Sequence, residues 1–311
     1  MGQGSLLFFC QSANSRHIMP ELPEVQTIVA ELRSAGIIGR KITGSIIRWP
    51  PLIKGRSVSG FKKMIHGSRI RDITRRGKFI VITLSNRLFL LVHLRMSGQF
   101  NLVAAGRKRE PHQHIILQFG DKRELRYRDT RKFGRWQLVA DPAKTLATLG
   151  PEPLEKSFKP AGLIAILKAC RRQLKPLLLD QKKIAGLGNI YVDEALWEAR
   201  LHPRRLSNSL DERESSALYA AIRCVLRRAI RNKGTSLGTG IGNYSRLGEK
   251  TGRNQNKLKV ARHGGASCPR CAAAISRMLV GQRATYVCVK CQKLETERSG
   301  SRRSESRETG N

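Results

Sequence analysis

The stretch MPELPEV, residues 19–25, determines the fold and the chemistry that we expect for this chain. A proline inside a chain has a tertiary amide nitrogen that is not nucleophilic, whereas a proline at a free N-terminus is a secondary amine. Because Met19 precedes Pro20, a chain that starts at Met19 and loses it exposes this amine beside the carboxyl of Glu21. The stretch therefore predicts a nucleophile and an acid as direct neighbours.

Composition indicates a nucleic-acid partner. The 311 residues include 59 Lys and Arg against 23 Asp and Glu, a formal net charge of +36 at pH 7. A surplus of this size attracts polyanions, of which nucleic acid is the commonest. Residues 294–311 are formally neutral, so the positive charge belongs to the folded body. We find neither a long apolar span nor a sustained basic amphipathic helix, and we expect no membrane partner.

The N-terminal residues 1–18 contain one short apolar run, residues 6–9, with no basic segment before it. This pattern is not typical of a secretory signal. We expect that Met19 is the real start and that the extension 1–18 is absent from the mature protein. Four of the seven cysteines form two close pairs, which fits one metal site in a reducing cytosol better than a set of disulfides.

The spacing of apolar residues predicts an α+β chain with room for two domains and a small module. Apolar residues at positions 25, 28, 29 and 32 recur at helical spacing, which predicts a helix that ends near Gly36. Turn and charge clusters then separate short β-rich runs, as in an antiparallel sandwich or barrel. These runs are residues 42–47, 70–73, 79–84, 88–94, 115–119 and 136–139.

Beyond the Pro- and Gly-rich segment at 149–154, the pattern is helical. We predict helices over 161–169, 175–180, 190–199 and 211–231, the last with Ser209 as its N-cap. Residues 234–256 have almost no apolar periodicity and predict a long loop, a feature that is often functional. We therefore expect domains over 19–150 and 151–259, a metal module over 260–294 and a disordered tail over 295–311.

Two cysteine pairs mark the metal module: Cys268 with Cys271, and Cys288 with Cys291. Their spacing is that of a four-thiolate zinc site on two knuckles, and we expect one structural zinc ion. Such a site has no open coordination position, so the zinc holds shape and does not catalyse. Between the pairs, residues 278–287 predict a hairpin with Arg283 at or near its turn.

The segment GLGNIY, residues 186–191, predicts a tight turn followed by a helix from Asn189 or Ile190. Two glycines permit a close approach of backbone, and the start of a helix offers N–H groups to an anion. A dinucleotide site is not indicated, because no strand precedes the segment and no third glycine follows at the required spacing.

Several motifs together resemble the formamidopyrimidine-DNA glycosylases, bacterial enzymes that excise oxidised purines. They are MPELPEV at 19–25, RRGKF at 75–79, HLRMSG at 93–98, DTRKFG at 129–134, GLGNIY at 186–191 and QRATY at 282–286. The resemblance covers roughly residues 19–293, in family order. It implies an N-terminal helix with an antiparallel β-sandwich, and then a helical helix-two-turn-helix domain that carries a zinc finger hairpin.

The resemblance also implies catalytic roles. Pro20 attacks the sugar C1′ and Glu21 assists base departure by proton transfer. Lys78 is the proton donor for β-elimination, and Arg283 grips phosphate and serves the last elimination step. The reaction is that of a bifunctional glycosylase and lyase of base excision repair, which removes 8-oxoguanine and formamidopyrimidines and cuts the strand by β,δ-elimination.

Further residues align with DNA contacts of the family, although each one alone would more often be core or surface filler. Damaged duplex DNA is the implied partner, bound by a monomer in the cytoplasm at the nucleoid. Met96 and Phe133 correspond to wedges in the vacated stack, Arg131 to a contact with the orphaned cytosine, and His112, Arg171, Lys175 and Asn189 to backbone contacts.

Two alternatives stay open at this point. The sister endonuclease VIII type prefers oxidised pyrimidines, and a non-catalytic zinc-finger DNA-binding protein results if residues 1–18 stay attached. The sequence also departs from the family pattern: Thr130 replaces a usual proline, Lys132 replaces a common arginine, and residues 260–263 lack the usual aromatic. The last departure bears on lesion capping and substrate preference.

Overall fold

The computed structural model describes residues 19–237 and 244–294. The chain divides into two compact units. The sandwich unit comprises Met1–Leu154, Ile184–Gly188 and Leu226–Leu258, and the helical unit comprises Glu155–Lys183, Asn189–Val225 and Lys259–Asn311. The predicted extension 1–18 and tail 295–311 lie outside the described residues.

Helix α1, Leu22–Ser34, opens the sandwich unit. Pro23 lies in its first turn, where a missing N–H costs nothing, and Arg33 lies in its last turn at the negative end of the helix dipole. The apolar residues at positions 25, 28, 29 and 32 are all buried. Gly36 follows the helix at φ +68°, so the predicted helix and its end are confirmed.

Two sheets form the body of the sandwich unit. One contains four strands in the order β1-β7-β8-β6, and the other contains five in the order β2-β9-β5-β4-β3. Every pairing is antiparallel except that of β2 with β9. The strands are β1 Ile42–Ile47, β2 Ile53–Lys54, β3 Ile70–Arg76, β4 Phe79–Leu84, β5 Phe89–His93, β6 Gly98–Ala104, β7 Gln113–Phe119, β8 Arg123–Asp129 and β9 Arg135–Val139.

The core of the sandwich unit is apolar and aromatic. Side chains from α1 and from both sheets form one buried cluster. At its centre the Tyr127 and Trp136 rings lie 5.3 Å apart, and the Phe100 ring lies 5.7 Å from that of Trp136. Two short helices accompany the sheets, α2 Val58–Ile65 and α3 Pro142–Leu146. The predicted sandwich is confirmed, whereas β2, β6, β8, α2 and α3 were not predicted.

The helical unit contains α4 Pro160–Lys168, α5 Leu174–Leu179, α6 Asn189–Glu198 and α7 Glu212–Arg231, although α7 belongs to the sandwich unit from Leu226 onward. A hairpin of β10 Ser276–Val280 and β11 Arg283–Val287 completes it. The four predicted helices are confirmed within one or two residues. No helix in the described ranges is both long and apolar enough to cross a membrane.

The predicted N-cap of α7 is wrong. Ser209 lies in a short 3₁₀ turn, Ser207–Ser209, and Asp211 caps the helix instead. The Glu214 N–H donates to Asp211 Oδ1 at 2.7 Å, and the Asp211 N–H donates to Glu214 Oε2 at 3.0 Å. This reciprocal capping box satisfies two backbone donors, which a serine two residues earlier cannot reach.

Candidate active site and nucleic-acid interface

The entrance of α1 places Pro20 and Glu21 in a buried position. The Glu21 N–H donates to Glu24 Oε2 at 2.9 Å, and the Leu22 N–H donates to the carbonyl of Gly186 at 3.0 Å. Both bonds engage the orphan N–H groups at the start of the helix, so the backbone that carries Glu21 is fixed on two sides. The helix dipole favours the two carboxylates at this end.

The turn at 186–188 packs against Glu21 and Leu22, all within the sandwich unit. Gly186 has φ +90°, and a Cβ there would lie 2.7 Å from Leu22 Cδ1. A Cβ on Gly188 would lie 2.5 Å from Glu21 Oε1. Gly186 is therefore required by its positive φ and the close approach of Leu22, and Gly188 by the close approach of the acid side chain. This explains why residues 184–188 group with the sandwich unit although they follow the boundary predicted near residue 150.

The long loop predicted over 234–256 joins α1 through Glu24. Glu24 Oε1 accepts the Thr235 N–H at 2.7 Å, so the same carboxylate contacts both the Glu21 backbone and the loop. Asn254 Nδ2 donates to Thr235 Oγ1 at 2.9 Å, which ties the two ends of the loop together. Residues 238–243 of the loop lie outside the described residues.

Lys78 lies in the turn between β3 and β4 and is mostly buried, with 9% of its surface exposed. Glu152 holds this turn. Its carboxylate accepts Arg75 Nη1 at 2.7 and 2.9 Å and also accepts the Gly77 N–H. The Ala185 N–H donates to Pro151 O at 3.0 Å, so the same segment also supports the glycine turn. Lys78 and Glu21 are thus positioned by one hydrogen-bonded network of the sandwich unit.

His93 is a residue of this site to which the sequence analysis gave no role. It ends β5, and burial lowers its pKa to about 3, with the charges of Arg95, Lys78 and Arg135 acting in the same direction. Its Nδ1 accepts the Arg95 N–H at 3.0 Å, which places the ring proton on Nε2. His93 is therefore a neutral donor near the Lys78 ammonium. Its place at the end of an apolar strand, as the first residue of the HLRMSG motif, was the available signal.

Three predicted DNA-contact residues come together as a wedge cluster, defined as Met96, Arg131 and Phe133. Arg131 Nη1 lies 3.0 Å from Met96 Sδ, and the Arg131 guanidinium lies 4.8 Å from the centre of the Phe133 ring. Phe133 is 52% exposed, which is unusual for a large apolar ring. An exposed ring beside a planar cation suits insertion into a base stack.

Asp129 holds the two segments that carry the wedge cluster. Its Oδ2 accepts the Gly134 N–H at 2.7 Å, its Oδ1 accepts the Arg131 N–H at 3.3 Å, and the Ser97 hydroxyl donates to it. A side chain at Gly134 would overlap the Tyr127 hydroxyl. Asp129 belongs to the DTRKFG motif, but its role in joining two segments depends on Ser97, which is distant in sequence.

His112 lies next to Asp129 in the sandwich unit. It is exposed at φ +65°, and its carbonyl accepts the Asp129 N–H at 3.0 Å. The bond places the His112 backbone beside the segment that carries Arg131 and Phe133, and the contact of His112 with DNA stays a prediction.

Lys175 and Asn189 meet at one carbonyl of the helical unit. Lys175 Nζ and Asn189 Nδ2 each lie 3.0 Å from the oxygen of Ala284 in β11. Lys175 Nζ also lies 2.6 Å from Asp193 Oδ1, and neither side chain is more than 1% exposed. Burial raises the pKa of Asp193 to about 7 against the opposite effects of Lys175 and the Tyr286 N–H. Lys175 is thus enclosed here, whereas an exposed ammonium is expected of a direct phosphate contact.

Arg171 and Arg283 are exposed, as expected for residues that contact phosphate. Arg283 is the first residue of β11 and pairs with Val280 across the turn. The turn residues Gly281 and Gln282 have φ values of +53° and +59°, which is typical of a tight hairpin turn. The predicted hairpin is confirmed, with Arg283 at its tip.

The four predicted cysteine ligands converge. Their Sγ atoms all lie within 4.8 Å of one another, with Cys268 and Cys291 at 4.0 Å and Cys271 and Cys288 at 3.4 Å. Trp197 Nε1 donates to Cys268 Sγ at 3.4 Å. Four thiolates at these distances match a single tetrahedral ion, so the residues present can hold a metal.

Comparison with known proteins gives the family. Residues 19–136 match the formamidopyrimidine-DNA glycosylase N-terminal domain, and residues 149–240 match the H2TH domain of the same family. A formamidopyrimidine-DNA glycosylase of Protochlamydia amoebophila (strain UWE25) is 45% identical over 275 residues, which cover 88% of this chain and 100% of that protein. The chain belongs to the formamidopyrimidine-DNA glycosylase family.

Other family members agree. The formamidopyrimidine-DNA glycosylase of Herpetosiphon aurantiacus is 40% identical over 277 residues, with 88% of this chain and 100% of that protein covered. Two solved structures of Lactococcus lactis Fpg, each covering 88% of this chain and 100% of that chain, have a TM-score of 0.81. One holds DNA that contains N7-benzyl-Fapy-dG, at 36% identity, and the other holds DNA with an abasic site, at 35% identity. The predicted family and α+β fold are confirmed.

The two matched regions contain most of the predicted site. The N-terminal match includes Pro20, Glu21, Lys78 and the wedge cluster, and the H2TH match includes Arg171, Lys175 and Asn189. The cysteine cluster and Arg283 lie after both. The roles of the individual side chains stay predictions.

Proposed function

We propose that this glycosylase removes oxidised purines from duplex DNA and then cuts the strand, with the Pro20 amine as nucleophile and the Glu21 carboxyl as acid. Family membership supports the reaction class. The single observation that carries the assignment is the packing of the Glu21 carboxyl on Gly188, directly after Pro20. An acid that is held this closely keeps one position relative to the neighbouring nitrogen, as proton transfer in a transition state requires.

The nucleophile requires processing. In the chain as printed, Pro20 is acylated by Met19, and an amide nitrogen cannot attack a sugar. We propose that the active form begins at Pro20. The family match that starts at residue 19 supports this proposal.

In the first step, the Pro20 nitrogen forms a bond to C1′ while the bond from C1′ to the base breaks, and Glu21 assists by proton transfer. The sugar ring then opens at the C1′–O4′ bond, with a proton taken up by O4′ and the proton of the Pro20 nitrogen released, which gives a Schiff base between Pro20 and C1′. This Schiff base acidifies the neighbouring sugar protons, so the 3′ phosphate leaves by β-elimination and the 5′ phosphate by δ-elimination. Lys78 and Arg283 are assigned as proton donors in these steps. His93, which is neutral and lies near the Lys78 ammonium, supplies a hydrogen-bond donor without adding a second cation.

The DNA interface combines positive charge with the wedge cluster. We propose that Met96, Arg131 and Phe133 occupy the space left by the extruded base, and that His112, Arg171 and Asn189 contact the backbone. Lys175 fits a positioning role better than a direct contact, because its ammonium is enclosed and shares the Ala284 carbonyl with Asn189. One protein molecule is proposed to act on one lesion, in the cytoplasm where the nucleoid lies.

We propose that the four cysteines hold zinc. When bound, the ion supplies only structure, because four thiolates leave no open position for a substrate. Its effect is to keep the β10–β11 hairpin folded and Arg283 presented. Metal analysis should give one zinc per chain, and Cys268→Ser should lower the zinc content and weaken DNA binding. Full DNA affinity in a zinc-free protein would contradict this role.

The proposed acid is tested by two substrates. Glu21→Gln should lower excision of 8-oxoguanine about a hundredfold or more, because a positioned acid contributes roughly 10²–10⁴-fold. The same variant should still nick a duplex with a preformed abasic site, since no base remains to be protonated. Equal loss on both substrates would contradict the assignment. Excision of thymine glycol in preference to 8-oxoguanine by the unmodified site would favour the endonuclease VIII type instead.

A further inference from the structure

A pocket lies at the end of the sandwich unit opposite the wedge cluster and Lys78. Strand β3 runs from Ile70 to Arg76, just before Lys78, and β7 runs from Gln113, just after His112, to Phe119. Both strands have 7 residues, so their ends are roughly 20 Å apart at about 3.3 Å per residue. The pocket is formed by residues just before β3 and just after β7.

This far-end pocket has a volume of about 380 Å³. The backbones of Lys41 and Arg69 pair in an isolated antiparallel bridge, and the Gly120 N–H donates to Lys41 O at 3.2 Å, which closes the pocket between the two sheets. Three basic residues and one acid stand among the seven that line it: Ile38, Gly39, Arg40, Lys41, Arg69, Gly120 and Asp121.

The one acid of the pocket is already neutralised. Asp121 Oδ2 accepts Arg123 Nη2 at 2.7 Å and lies 3.2 Å from Arg40 Nε. The hydrogen bond from Arg123 is the main cause that lowers the pKa of Asp121. Lys41 and Arg69 are exposed, and neither pairs with a carboxylate within residues 19–237 and 244–294. Two cationic side chains therefore face solvent with no protein anion to balance them.

Neighbouring turns add positive charge to the same end. Arg87 lies in the turn between β4 and β5, and Lys122 lies in the turn between β7 and β8. Both are exposed. The Ser85 N–H donates to Arg69 O at 2.8 Å, which places the Arg87 turn next to the pocket.

We propose that the far-end pocket is a second phosphate-binding site, which holds the backbone of a second DNA duplex while the wedge cluster engages the first. The choice of DNA as the polyanion rests on the proposed function. An unbalanced guanidinium and ammonium around a polar pocket bind phosphate oxygens, and cations of this kind drive sequence-independent binding to duplex DNA. Because the two sites lie at opposite ends of the sheets, a second duplex reaches the pocket without displacing the first.

The test is the release of the full, zinc-loaded chain from a fluorescent lesion duplex at increasing concentrations of unlabelled, undamaged duplex. Binding of the second duplex before the first has left makes the release rate rise with competitor concentration. The double variant Lys41→Ala, Arg69→Ala should lower the dependence of the release rate on competitor about tenfold, because two phosphate contacts to the second duplex are lost. The salt dependence of that binding should fall as well.

The matched control replaces Lys54 and Lys144, two exposed lysines of the same unit, with alanine and should keep the dependence. Lys41→Arg with Arg69→Lys retains the charge and should also keep it. Release that is independent of competitor in the unmodified chain, or equal dependence in all variants, would overturn the second site. A release rate that rises with added single-stranded RNA but not with added duplex DNA would overturn the choice of DNA as the partner. Weaker binding of the first duplex by the Lys41→Ala, Arg69→Ala variant would also overturn the second site, whereas failure of the unmodified chain to bind the lesion duplex would count against the proposed function.

Discussion

The start of α1 and the β10–β11 hairpin region hold their key groups in opposite ways. At the start of α1, Glu21 is positioned by shape, because Gly188 has no side chain and leaves the space that the Glu21 carboxyl fills. In the hairpin region, Asn189 and the Ala284 carbonyl are positioned by a buried charge pair, Lys175 with Asp193. The difference indicates that the proposed acid is placed by shape, whereas the carbonyl and amide proposed to lie near DNA are placed by a buried charge pair.

The two kinds of support have different energetic consequences. Removal of one partner of a buried ion pair leaves an uncompensated charge, so stability falls steeply. An added methyl group in a glycine turn moves one flexible carboxyl and leaves the rest of the fold in place, so activity falls more than stability. Changes in the two regions should therefore separate stability from catalysis.

The largest effect on stability is expected for Asp193→Asn. The Lys175 ammonium then stays buried without its counter-charge, which costs about 3–5 kcal/mol. Urea unfolding of the zinc-loaded protein measures the free energy of unfolding. Lys175→Met combined with Asp193→Leu removes both charges and should recover most of the loss.

The matched control is the exposed pair Arg172 and Asp180, whose side chains are 42% and 27% exposed. Asp180→Asn should cost less than about 1 kcal/mol, because solvent screens the pair. A similar cost for the buried and the exposed variant would show that the buried pair is not the support of the hairpin region.

The next effect is expected for Gly188→Ala. The new Cβ overlaps the Glu21 carboxyl, so the acid must move, and excision of 8-oxoguanine should fall about a hundredfold, equivalent to roughly 2.7 kcal/mol in the barrier. DNA affinity should change little. Single-turnover excision and a binding titration measure the two quantities.

Gly120→Ala is the control for the added methyl group. A Cβ there meets Thr43 Cγ2 at 3.6 Å, an ordinary contact, and Gly120 is not among the glycines with positive φ. Its activity should match that of the unmodified protein. If Gly188→Ala also kept full activity, Glu21 would not depend on the turn for its position.

The smallest effect, counted per pH unit, is expected from the titration of His93. Its pKa in the folded protein is about 3, below the ordinary 6.5, so below pH 6.5 the unfolded chain binds a proton that the folded chain excludes. The folded state therefore loses stability as the pH falls from 6.5 toward 3, by up to about 1.4 kcal/mol per pH unit. Urea unfolding at several pH values measures this loss.

The comparison of variants isolates His93 from other titrating groups. His93→Gln should remove this part of the pH dependence, whereas His66→Gln, at an exposed position, should leave it unchanged. An identical pH dependence in the unmodified protein and His93→Gln would show that the buried ring is not excluded from protonation.

Local pattern predicted much of the fold. Strands β1 and β4 begin and end at the predicted residues, because β-branched apolar runs between turn signals have few alternatives. Strand β8 was missed because its sequence RELRYRD looks exposed. Its Arg126 and Glu124 are instead buried as an ion pair at 2.7 Å, and a pairing of this kind depends on neighbours that local periodicity does not reveal.

Long-range contacts also limited what the sequence could predict about the site. The wedge cluster was predicted residue by residue through resemblance, and the structure brings its members together. The role of Asp129 was not predictable, since its partner Ser97 lies on another strand segment. The burial of Lys175 depends on Ala284 and Asp193, which come from the hairpin and from α6. Long-range packing, and not residue type, decides whether a lysine is exposed or enclosed.

The most direct test of the central claim is borohydride trapping on an 8-oxoguanine duplex, with one preparation that begins at Pro20 and one that retains residues 1–18. Reduction of the Schiff base leaves a stable bond between protein and DNA only where the Pro20 nitrogen is a free amine. We predict a covalent adduct with the first preparation and none with the second. An equal adduct with both would contradict Pro20 as the nucleophile, and no adduct with either would contradict the lyase mechanism.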